Sequence, residues 1–494
     1  MKTEPKQTRP QVDTKGGGIK LTQHMTLAIV AVVMMVSPAL AQRTDDPYAQ
    51  PIEAVEGIIN VDFVEFASLP DIDGIAARSM ILINEPGTGR FFVNDMVGPI
   101  YSVSYDGETV IEYVDTNADN WGFGVEFNGR ERGMQSFAFH PQFGQTGMPG
   151  FGKFYTWSDV TDREPAPDFV PGGGDNTHDT VLLEWTARTP AAATYDGGVP
   201  RELFRFEQPF RNHNGGQIGF NPLATPGDSD FGLLFVGVAD GGSGGDPLFN
   251  AQKLSSGFGK IFRIDPLGSN SANRKYGIPD DNPFNDGDDA SLSEIYAYGV
   301  RNPQNFAWDS QNGNMFFTDI GQNIVEEISP VTPGANLGWN TWEGSFGFIS
   351  RQEVSLESPR SDPRVTYPIA EYGQLDPLLQ PQSASIGLIV YRQDAIPQLQ
   401  NRILFGDLPS GEIFHLDADN LPDGGQDAIR RVLLNDGGAA KTLLQLIQDK
   451  NREQGKDLAS RADLRFGTGP DGQVFVLNKQ DGTIRLLVAS APSR

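Results

Sequence analysis

Short apolar runs, each ended by glycine, proline, asparagine or aspartate, recur along most of the chain. The runs are rich in Phe, Val, Ile and Tyr, the residue types that favour β-strands. One arrangement repeats: an apolar strand, an Asp or Asn, a glycine turn and a second strand. It occurs at Arg90 (RFFVNDMVGPIYSVSYDG), at Arg402 (RILFGDLPSGEIFHLDAD) and at Gln473 (QVFVLNKQDGTIRLLVAS). Each copy predicts a β-hairpin.

Three looser copies bring the number of candidate hairpin units to six. They pair GKFYTWSDV with TVLLEW, LLFVGVADGG with GKIFRID, and NMFFTDIGQ with EEISPV. Repeated hairpins separated by irregular loops are typical of a β-propeller, in which radially arranged sheets bury one another's faces. We therefore expect an all-β fold over residues 57–490, a six-bladed β-propeller with short inter-blade insertions. A β-sandwich or two all-β domains is the alternative. The amphipathic stretch Ala439–Asn451 predicts a helix inserted between blades.

The N-terminal residues have the pattern of an export signal. Five basic residues precede an apolar run of about 12 residues and a small-x-small triplet that ends at Ala41. The run is shorter than the roughly 20 apolar residues of a spanning helix. We expect residues 1–41 to be a signal peptide cleaved before Gln42, and residues 42–56 to be a polar lead-in. The mature protein would then be secreted or periplasmic, with no membrane insertion after cleavage; an uncleaved anchor is the alternative.

Composition narrows the classes of function. The chain has 494 residues, with 64 acidic and 38 basic side chains and a formal net charge of −26. Strong negative charge repels nucleic acid and anionic lipid, so we expect no nucleic-acid partner. The chain has no cysteine, which excludes disulfides, thiolate metal sites and cysteine nucleophiles. The long basic segment leaves Met25 as an alternative translation start.

Two acid–base candidates stand next to glycines. His213, in FRNHNGGQIGF, precedes Gly215 and Gly216, which permit positive φ or close backbone approach. An imidazole presented there is suited to act as a general base near neutral pH. A hydrogen-bonded loop histidine is the alternative. Asp240 ends a predicted strand before a glycine run, where it can pair with a histidine, bind a sugar hydroxyl or simply form a turn.

Two further stretches are candidates for binding an anion and a cation. Arg301 and Asn302, in YAYGVRNPQNFAWD, offer a planar cationic fork and an amide, which suit a carboxylate-bearing ligand. A structural arginine is the alternative. The loop in FFTDIGQNIVEEI (Phe316–Ile328) can expose backbone carbonyls to calcium, or be a plain turn. DDNPFNDGDD (Asp280–Asp289) lacks the spacing of a calcium loop, and we interpret it as a solvated acidic loop.

Taken in order, the motifs resemble those of the glucose/sorbosone dehydrogenase family. The resemblance covers roughly residues 57–490 and rests on ERGMQSFAFHPQF, HNGGQIGF, ADGG, GFGKIFRIDPLG, YGIPDDNPF, EIYAYGVRNPQNFAWD, DIGQNIVEEI, GANLGW and RADLRFGTGPDGQVFVLNKQDGTI. Members are secreted quinoproteins that oxidise aldose sugars with pyrroloquinoline quinone (PQQ). The resemblance implies a six-bladed propeller, an aldose substrate, PQQ and Ca²⁺ as cofactors, and an external electron acceptor.

The resemblance also implies roles for individual residues. His213 matches the catalytic base, and Asp240 the carboxylate that supports it. The remaining matches are Glu131 for the substrate, Arg301 and Asn302 for PQQ, and the carbonyls of Gly321 and Gln322 for Ca²⁺. Arg392 and Arg461 are further candidates for the cofactor, Arg461 sharing a shifted SRADLR frame with Arg465. Gln217 stands where members usually carry a basic residue.

Two other functions remain alternatives at this point. A non-catalytic glycan- or protein-binding propeller, similar to the Hedgehog-interacting relatives of the family, fits the departure at Gln217. A calcium-dependent lactonase fits by fold analogy alone. The sugar, the physiological electron acceptor and the oligomeric state are not specified by the sequence.

Overall fold

The computed structural model describes residues 46–287 and 290–490, and these residues form an all-β fold. The predicted signal peptide, its cleavage site before Gln42 and the alternative start at Met25 lie outside the described residues. Within the described residues, none of the helices combines the length and the apolar character that crossing a membrane requires.

The strands are short and follow one another closely along the chain. In chain order they are β1 (Ile59–Ser68), β2 (Ser79–Glu85), β3 (Arg90–Asp95), β4 (Pro99–Ser104), β5 (Val110–Asp115), β6 (Met134–Phe139), β7 (Lys153–Val160), β8 (His178–Thr186), β9 (Arg201–Gln208), β10 (Ile218–Phe220), β11 (Leu234–Val238), β12 (Lys260–Ile264), β13 (Ile295–Tyr298), β14 (Pro303–Trp308), β15 (Met315–Asp319), β16 (Val325–Val331), β17 (Trp342–Glu343), β18 (Phe346–Ser350), β19 (Glu353–Ser355), β20 (Ala370–Gly373), β21 (Ser385–Tyr391), β22 (Arg402–Asp407), β23 (Ile413–Asp417), β24 (Arg430–Asp436), β25 (Ala439–Lys441), β26 (Arg465–Thr468), β27 (Val474–Leu477) and β28 (Thr483–Val488). One α-helix, α1 (Leu443–Glu453), and the 3-10 turns Asp119–Trp121 and Pro397–Leu399 complete the described elements.

Most strands group into four-stranded antiparallel units, while β17–β19 form a separate three-stranded sheet and β25 pairs with β24. The four-stranded units are unit 1 (β2–β5), unit 2 (β6–β9), unit 3 (β10–β13), unit 4 (β14–β16 with β20), unit 5 (β21–β24) and unit 6 (β26–β28 with β1). All of the predicted hairpins are present as the antiparallel pairs β3–β4, β7–β8, β11–β12, β15–β16, β22–β23 and β27–β28. The all-β prediction is therefore confirmed.

Unit 6 combines strands from the two ends of the described chain. β1 pairs antiparallel with β28, with Phe63 opposite Leu487. It also lies parallel to β24 of unit 5, and β26 lies parallel to β2 of unit 1. Unit 6 is therefore paired directly with unit 5 on one side and with unit 1 on the other. An edge strand that is paired in this way is protected from unwanted association.

Apolar clusters fill the spaces between consecutive units. Phe92 of unit 1 packs with Phe154 of unit 2, and further clusters join each following pair of units. Leu82 of unit 1 packs with Phe475 of unit 6 in the same way. Because both faces of most sheets are covered, strands such as β6 and β11 are buried along their whole length. This explains why the sequence shows continuous apolar runs rather than strict alternation.

The predicted helix begins later than its sequence pattern suggested. Residues 439–441 form β25, which pairs with β24 through the turn at Gly437 and Gly438. The helix begins after Thr442, whose hydroxyl accepts the N–H of Gln445 while the Gln445 side chain accepts the N–H of Thr442. This reciprocal capping fixes the first turn.

The acidic loop near residue 281 is only partly the solvated segment that we expected. Asp281 pairs with the buried Arg263 at 2.7 Å. Asn282 accepts from Arg263 Nε at 2.9 Å and is itself buried. This part of the loop therefore anchors an arginine of β12, while residues 288 and 289 lie outside the described residues.

Candidate active site

One cavity of about 740 Å³ brings most of the predicted site residues together. It lies where the chain enters the first strands of several units, since its walls come from the segments before β6, β10, β14 and β26. The predicted site residues that line it are Glu131, His213, Arg301, Asn302, Gly321, Gln322 and Arg461. Asp240 lies directly behind His213, and Arg392 is elsewhere.

His213 and Asp240 form a buried pair. His213 Nδ1 lies 2.6 Å from Asp240 Oδ1. Asp240 Oδ1 also accepts the N–H of Gly242 at 2.8 Å, and Oδ2 accepts the Trp339 indole N–H at 2.9 Å. Burial opposes ionisation of Asp240, but His213 and Arg301 outweigh it, so its pKa lies below the ordinary value. An ionised Asp240 holds the Nδ1 proton of His213, which leaves Nε2 free to accept a proton.

The backbone of His213 adopts an unusual conformation. Its φ is +60°, in the left-handed region that residues with a side chain seldom occupy. Two contacts hold it there: the side-chain pair with Asp240 and a hydrogen bond from its own N–H to Glu131 Oε2 at 3.0 Å. Such strain is a recurrent feature of functional sites. Glu131 thus contacts the backbone of His213 as well as the cavity.

The glycines after His213 are required by close packing. A Cβ on Gly216 would lie 1.6 Å from the carbonyl oxygen of Pro303, and one on Gly215 would lie 2.8 Å from Trp157 Nε1. Gly215 also has φ +97°. The prediction of close backbone approach at HNGG is therefore confirmed, and the partner in this structure is the strand β14.

Arg301 and Asn302 are fixed by one carboxylate. Asp319 at the end of β15 accepts the N–H of Arg301 at 2.7 Å and that of Asn302 at 2.6 Å. Burial raises the pKa of Asp319 to about 6. The Arg301 guanidinium donates to the carbonyl of Ile320 and lies over the ring of Trp339, 5.5 Å from its centre. Its Nε is buried without a hydrogen-bond partner in the described structure.

The turn at Gly321 and Gln322 is organised by Glu343. Oε1 of Glu343 accepts four backbone N–H groups, from residues 322–325, at 2.9–3.1 Å. These four hydrogen bonds to one oxygen fix the conformation of the turn. A Cβ on Gly321 would lie 1.6 Å from the Val325 carbonyl oxygen, so only glycine fits. Among the described residues no group of three His, Asp or Glu side chains is placed to hold a metal. The carbonyl of Gly321 accepts a hydrogen bond from Gln374 Nε2 at 3.4 Å.

The two additional arginine predictions have different outcomes. Arg461 lines the cavity, but its guanidinium is paired with Asp463. Arg392 was placed wrongly: it lies outside the cavity, where it forms a two-pronged pair with Asp309 at 2.7 and 2.8 Å and a second pair with Asp419. These carboxylates satisfy the guanidinium, so Arg392 ties strand ends of units 4 and 5 together.

Gln217 does not face the cavity. Its Oε1 accepts from the backbone N–H of Phe306 and from Asn305 Nδ2, at 3.1 and 3.2 Å. It therefore braces the packing of β10 against β14. The residue type at this position affects contact between units rather than the charge of the cavity wall.

Five cations of the cavity were not among the predicted site residues: Arg78, Arg130, Arg351, Arg465 and Lys479. Arg78 precedes β2, Arg465 begins β26 and Lys479 follows β27, and all three line the cavity. Their shared signal is a basic residue at a strand end in an acidic chain, which is too general to single them out. Glu343 was also missed, because it is about 20 residues from the turn that it organises.

The comparisons with known proteins agree with this geometry. A model of the glucose/sorbosone dehydrogenase family matches residues 79–487, so the chain belongs to that family. The HIPL1 protein of Arabidopsis thaliana is 31% identical over 308 residues, covering 56% of this chain and 43% of that protein. The chain thus spans less than half the length of this relative.

Solved sugar dehydrogenases share the fold. The apo soluble aldose sugar dehydrogenase of Escherichia coli matches with a TM-score of 0.59 at 19% identity, covering 87% of this chain and 99% of that one. The PQQ-bound aldose sugar dehydrogenase of Streptomyces coelicolor matches with a TM-score of 0.52 at 17% identity, covering 86% and 96%. At these identities the likeness shows the fold, which is that of the quinoprotein sugar dehydrogenases.

Proposed function

We propose that the protein is a PQQ-dependent aldose dehydrogenase that oxidises the C1 hydroxyl of a sugar to a lactone. The observation that carries this proposal is the His213–Asp240 pair, which opens into a cavity shared with Arg301 and the Gly321–Gln322 turn. A base, a cationic fork and a set of carbonyls are thereby available to one ligand. Family membership supports the same reaction class.

The residues present fit both cofactors. PQQ is a planar tricarboxylate, and Arg301 keeps a buried Nε without a partner beside the cavity. Arg465 lines the same cavity and adds a second cation for these carboxylates. The carbonyls of Gly321 and Gln322 are oxygen ligands of the kind Ca²⁺ prefers. When bound, PQQ supplies the hydride acceptor and Ca²⁺ makes it more electrophilic.

His213 would accept the proton of the sugar. Its Nδ1 is held by Asp240, so Nε2 carries the lone pair that takes the proton from the C1 hydroxyl as the C1 hydrogen leaves with its electron pair. Asp240 then stabilises the imidazolium that forms, because its carboxylate remains ionised. The hydrogen bond from the His213 backbone N–H to Glu131 fixes the backbone position from which the ring extends.

We further propose that the six four-stranded units are the blades of a six-bladed propeller over residues 57–490. The apolar clusters between consecutive units, and the one joining unit 6 to unit 1, support this arrangement. We also propose that residues 1–41 are an export signal and that the mature protein works outside the cytoplasm with an external electron acceptor.

Reconstitution tests the proposed function. Purified protein is incubated with PQQ and Ca²⁺, and reduction of an artificial electron acceptor is followed with a panel of aldoses. We expect turnover that requires both cofactors and the loss of turnover in His213→Ala. Failure to bind PQQ would contradict the proposal. Tight sugar or protein binding that tolerates His213→Ala, without redox activity, would favour the binding-protein alternative instead.

A further inference from the structure

The cavity carries far more positive charge than the chain as a whole. Seven Arg or Lys side chains and only two Asp or Glu line it, although the net charge of the chain is −26. A cofactor with three carboxylates accounts for only part of this excess, and a bound dication would add to it. The remaining cations therefore point to a second anionic ligand.

Two of these cations, Arg78 and Lys479, converge on one loop. Arg78 Nη2 donates to the carbonyl of Gly129 at 2.8 Å, and Lys479 Nζ lies 3.5 Å from the carbonyl of Arg130. Both side chains also contact the sulfur of Met96, at 3.0 and 3.3 Å. The two charges are thus neighbours at the edge of units 1 and 6.

The same loop leads directly to the proposed base. Its next residue, Glu131, accepts the N–H of His213 at 3.0 Å. A sugar that places C1 at His213 and a hydroxyl at Glu131 would direct another of its substituents towards Arg78 and Lys479. Arg301 is built on the separate loop before β14, which makes this position a candidate for the substrate.

Within the described structure, neither cationic side chain donates a hydrogen bond to a carboxylate. The side chains of Arg78 and Lys479 contact backbone carbonyls and a thioether, all uncharged. Asp95 and Asp463 are the nearby carboxylates: Asp95 accepts the backbone N–H of Arg78 at 3.2 Å, and the oxygens of Asp463 are bound by Arg461 and by Gln480 Nε2. Burial and then the charge of Arg465 hold the pKa of Lys479 well below its ordinary value. Four neighbouring cations, Arg78, Arg461, Arg465 and Lys479, outnumber these two carboxylates, and such an excess of positive charge favours an added anion.

We propose that Arg78 and Lys479 form a carboxylate subsite and that the substrate is an acidic aldose, a sugar bearing a carboxylate at the end remote from C1. The inference rests on the proposed function for the reaction at C1, but the binding preference itself needs no cofactor. A hexuronic acid and its parent neutral hexose differ by this group alone, so they form a matched pair of ligands.

Calorimetry with the protein free of PQQ tests this subsite. We expect glucuronate to bind at least tenfold more tightly than glucose. Lys479→Met and Arg78→Gln should remove this preference by weakening glucuronate binding far more than glucose binding. Arg351→Gln is the matched control, because it removes a positive charge from another wall of the same cavity and should keep the preference. Thermal unfolding checks each variant, and Lys479→Met should be at least as stable as the wild type since it removes an unpaired cation.

The possible results separate this inference from the proposed function. Equal binding of the two sugars by the wild type would overturn the subsite even if PQQ-dependent turnover is found. A preference that survives Lys479→Met and Arg78→Gln would also overturn it. So would a variant in which the affinity for PQQ falls and the sugar preference stays, since the cations would then serve the cofactor. A preference that depends on Lys479 without any redox activity would support the subsite and contradict the dehydrogenase.

Discussion

Gln322 donates its backbone N–H to Oε1 of Glu343, 2.9 Å away, and the three following residues donate to the same oxygen. A single carboxylate oxygen therefore fixes the turn at Gly321 and Gln322, whose carbonyls are the proposed calcium ligands. The other oxygen, Oε2, is buried without a partner in the described structure. Glu343 does not line the cavity, so it acts on a ligand only through the turn.

Replacing Glu343 by Gln should loosen this turn and weaken cation binding. Groups that orient metal ligands typically contribute about 10- to 100-fold to affinity, and we expect a rise of this size in the Ca²⁺ concentration that supports PQQ binding. The measurement is a Ca²⁺ titration followed by PQQ absorbance. Glu371→Gln is a suitable control, because Glu371 is equally buried and accepts from Ser345 and Gly425, away from the turn. Equal effects of the two substitutions would indicate a general loss of structure.

Asp240→Asn should preserve the shape of the site and remove its charge. Without an ionised partner at Nδ1, His213 is no longer held with Nε2 free, so we expect kcat to fall by about 10²- to 10⁴-fold. PQQ affinity should change little, since Asp240 lies behind His213. Steady-state kinetics and a PQQ titration make the comparison, with Asp246→Asn as the control in the same loop. A fall in PQQ affinity with kcat unchanged would refute the assigned role.

Gly216→Ala tests the close contact between units 3 and 4. The added methyl group would meet the Pro303 carbonyl, so we expect a loss of roughly 1–3 kcal/mol in stability from overpacking. Gly198→Ala is the control, because no atom lies within 4 Å of the added position. Denaturant unfolding compares the two variants. Equal stability would show that the chain adjusts at HNGG without cost.

Asp407 should make stability depend on pH. It accepts hydrogen bonds from Ser383, Ala384 and Ser410, yet burial raises its pKa to about 6 from 3.8. Because the folded state binds this proton more tightly, the stability that Asp407 supplies is complete below about pH 4 and is lost as pH rises through 6. Between pH 4 and 7, the free energy of unfolding of Asp407→Asn should rise relative to that of the wild type by roughly 3 kcal/mol. Thermal unfolding at a series of pH values measures this, and parallel curves for the two proteins would disprove it.

The sequence predicted the hairpins well because each is encoded locally, by an apolar run, a turn residue and a second run. The helix boundary was less certain, since Ala439–Lys441 has helical periodicity but is captured by pairing with β24. Contacts between distant segments were not predictable from pattern alone. The sequence position of Arg392 predicted a cofactor ligand. Only the fold shows that its guanidinium already donates to Asp309, 83 residues away in the chain.

The candidate site could be predicted where motif and geometry coincide. His213, Arg301 and Gly321 belong to motifs with glycine or proline at fixed offsets, and all of them line the cavity. Lys479 lies in a hairpin copy that was interpreted as structural, and its charge becomes significant only next to Arg78. The sequence suggested that Gln217 changes the charge of the site. In the structure, its side chain instead accepts the backbone N–H of Phe306.

The most direct test of the central claim is the reduction of bound PQQ by an aldose in a single turnover. Protein loaded with PQQ and Ca²⁺ is mixed with glucose or glucuronate carrying hydrogen or deuterium at C1, and PQQ absorbance is followed. We predict reduction that is slowed by deuterium in the wild type, and at least about 10²-fold slower in His213→Ala with PQQ still bound. Reduction at the wild-type rate in His213→Ala, or no reduction by any aldose in PQQ-loaded wild type, would contradict the account.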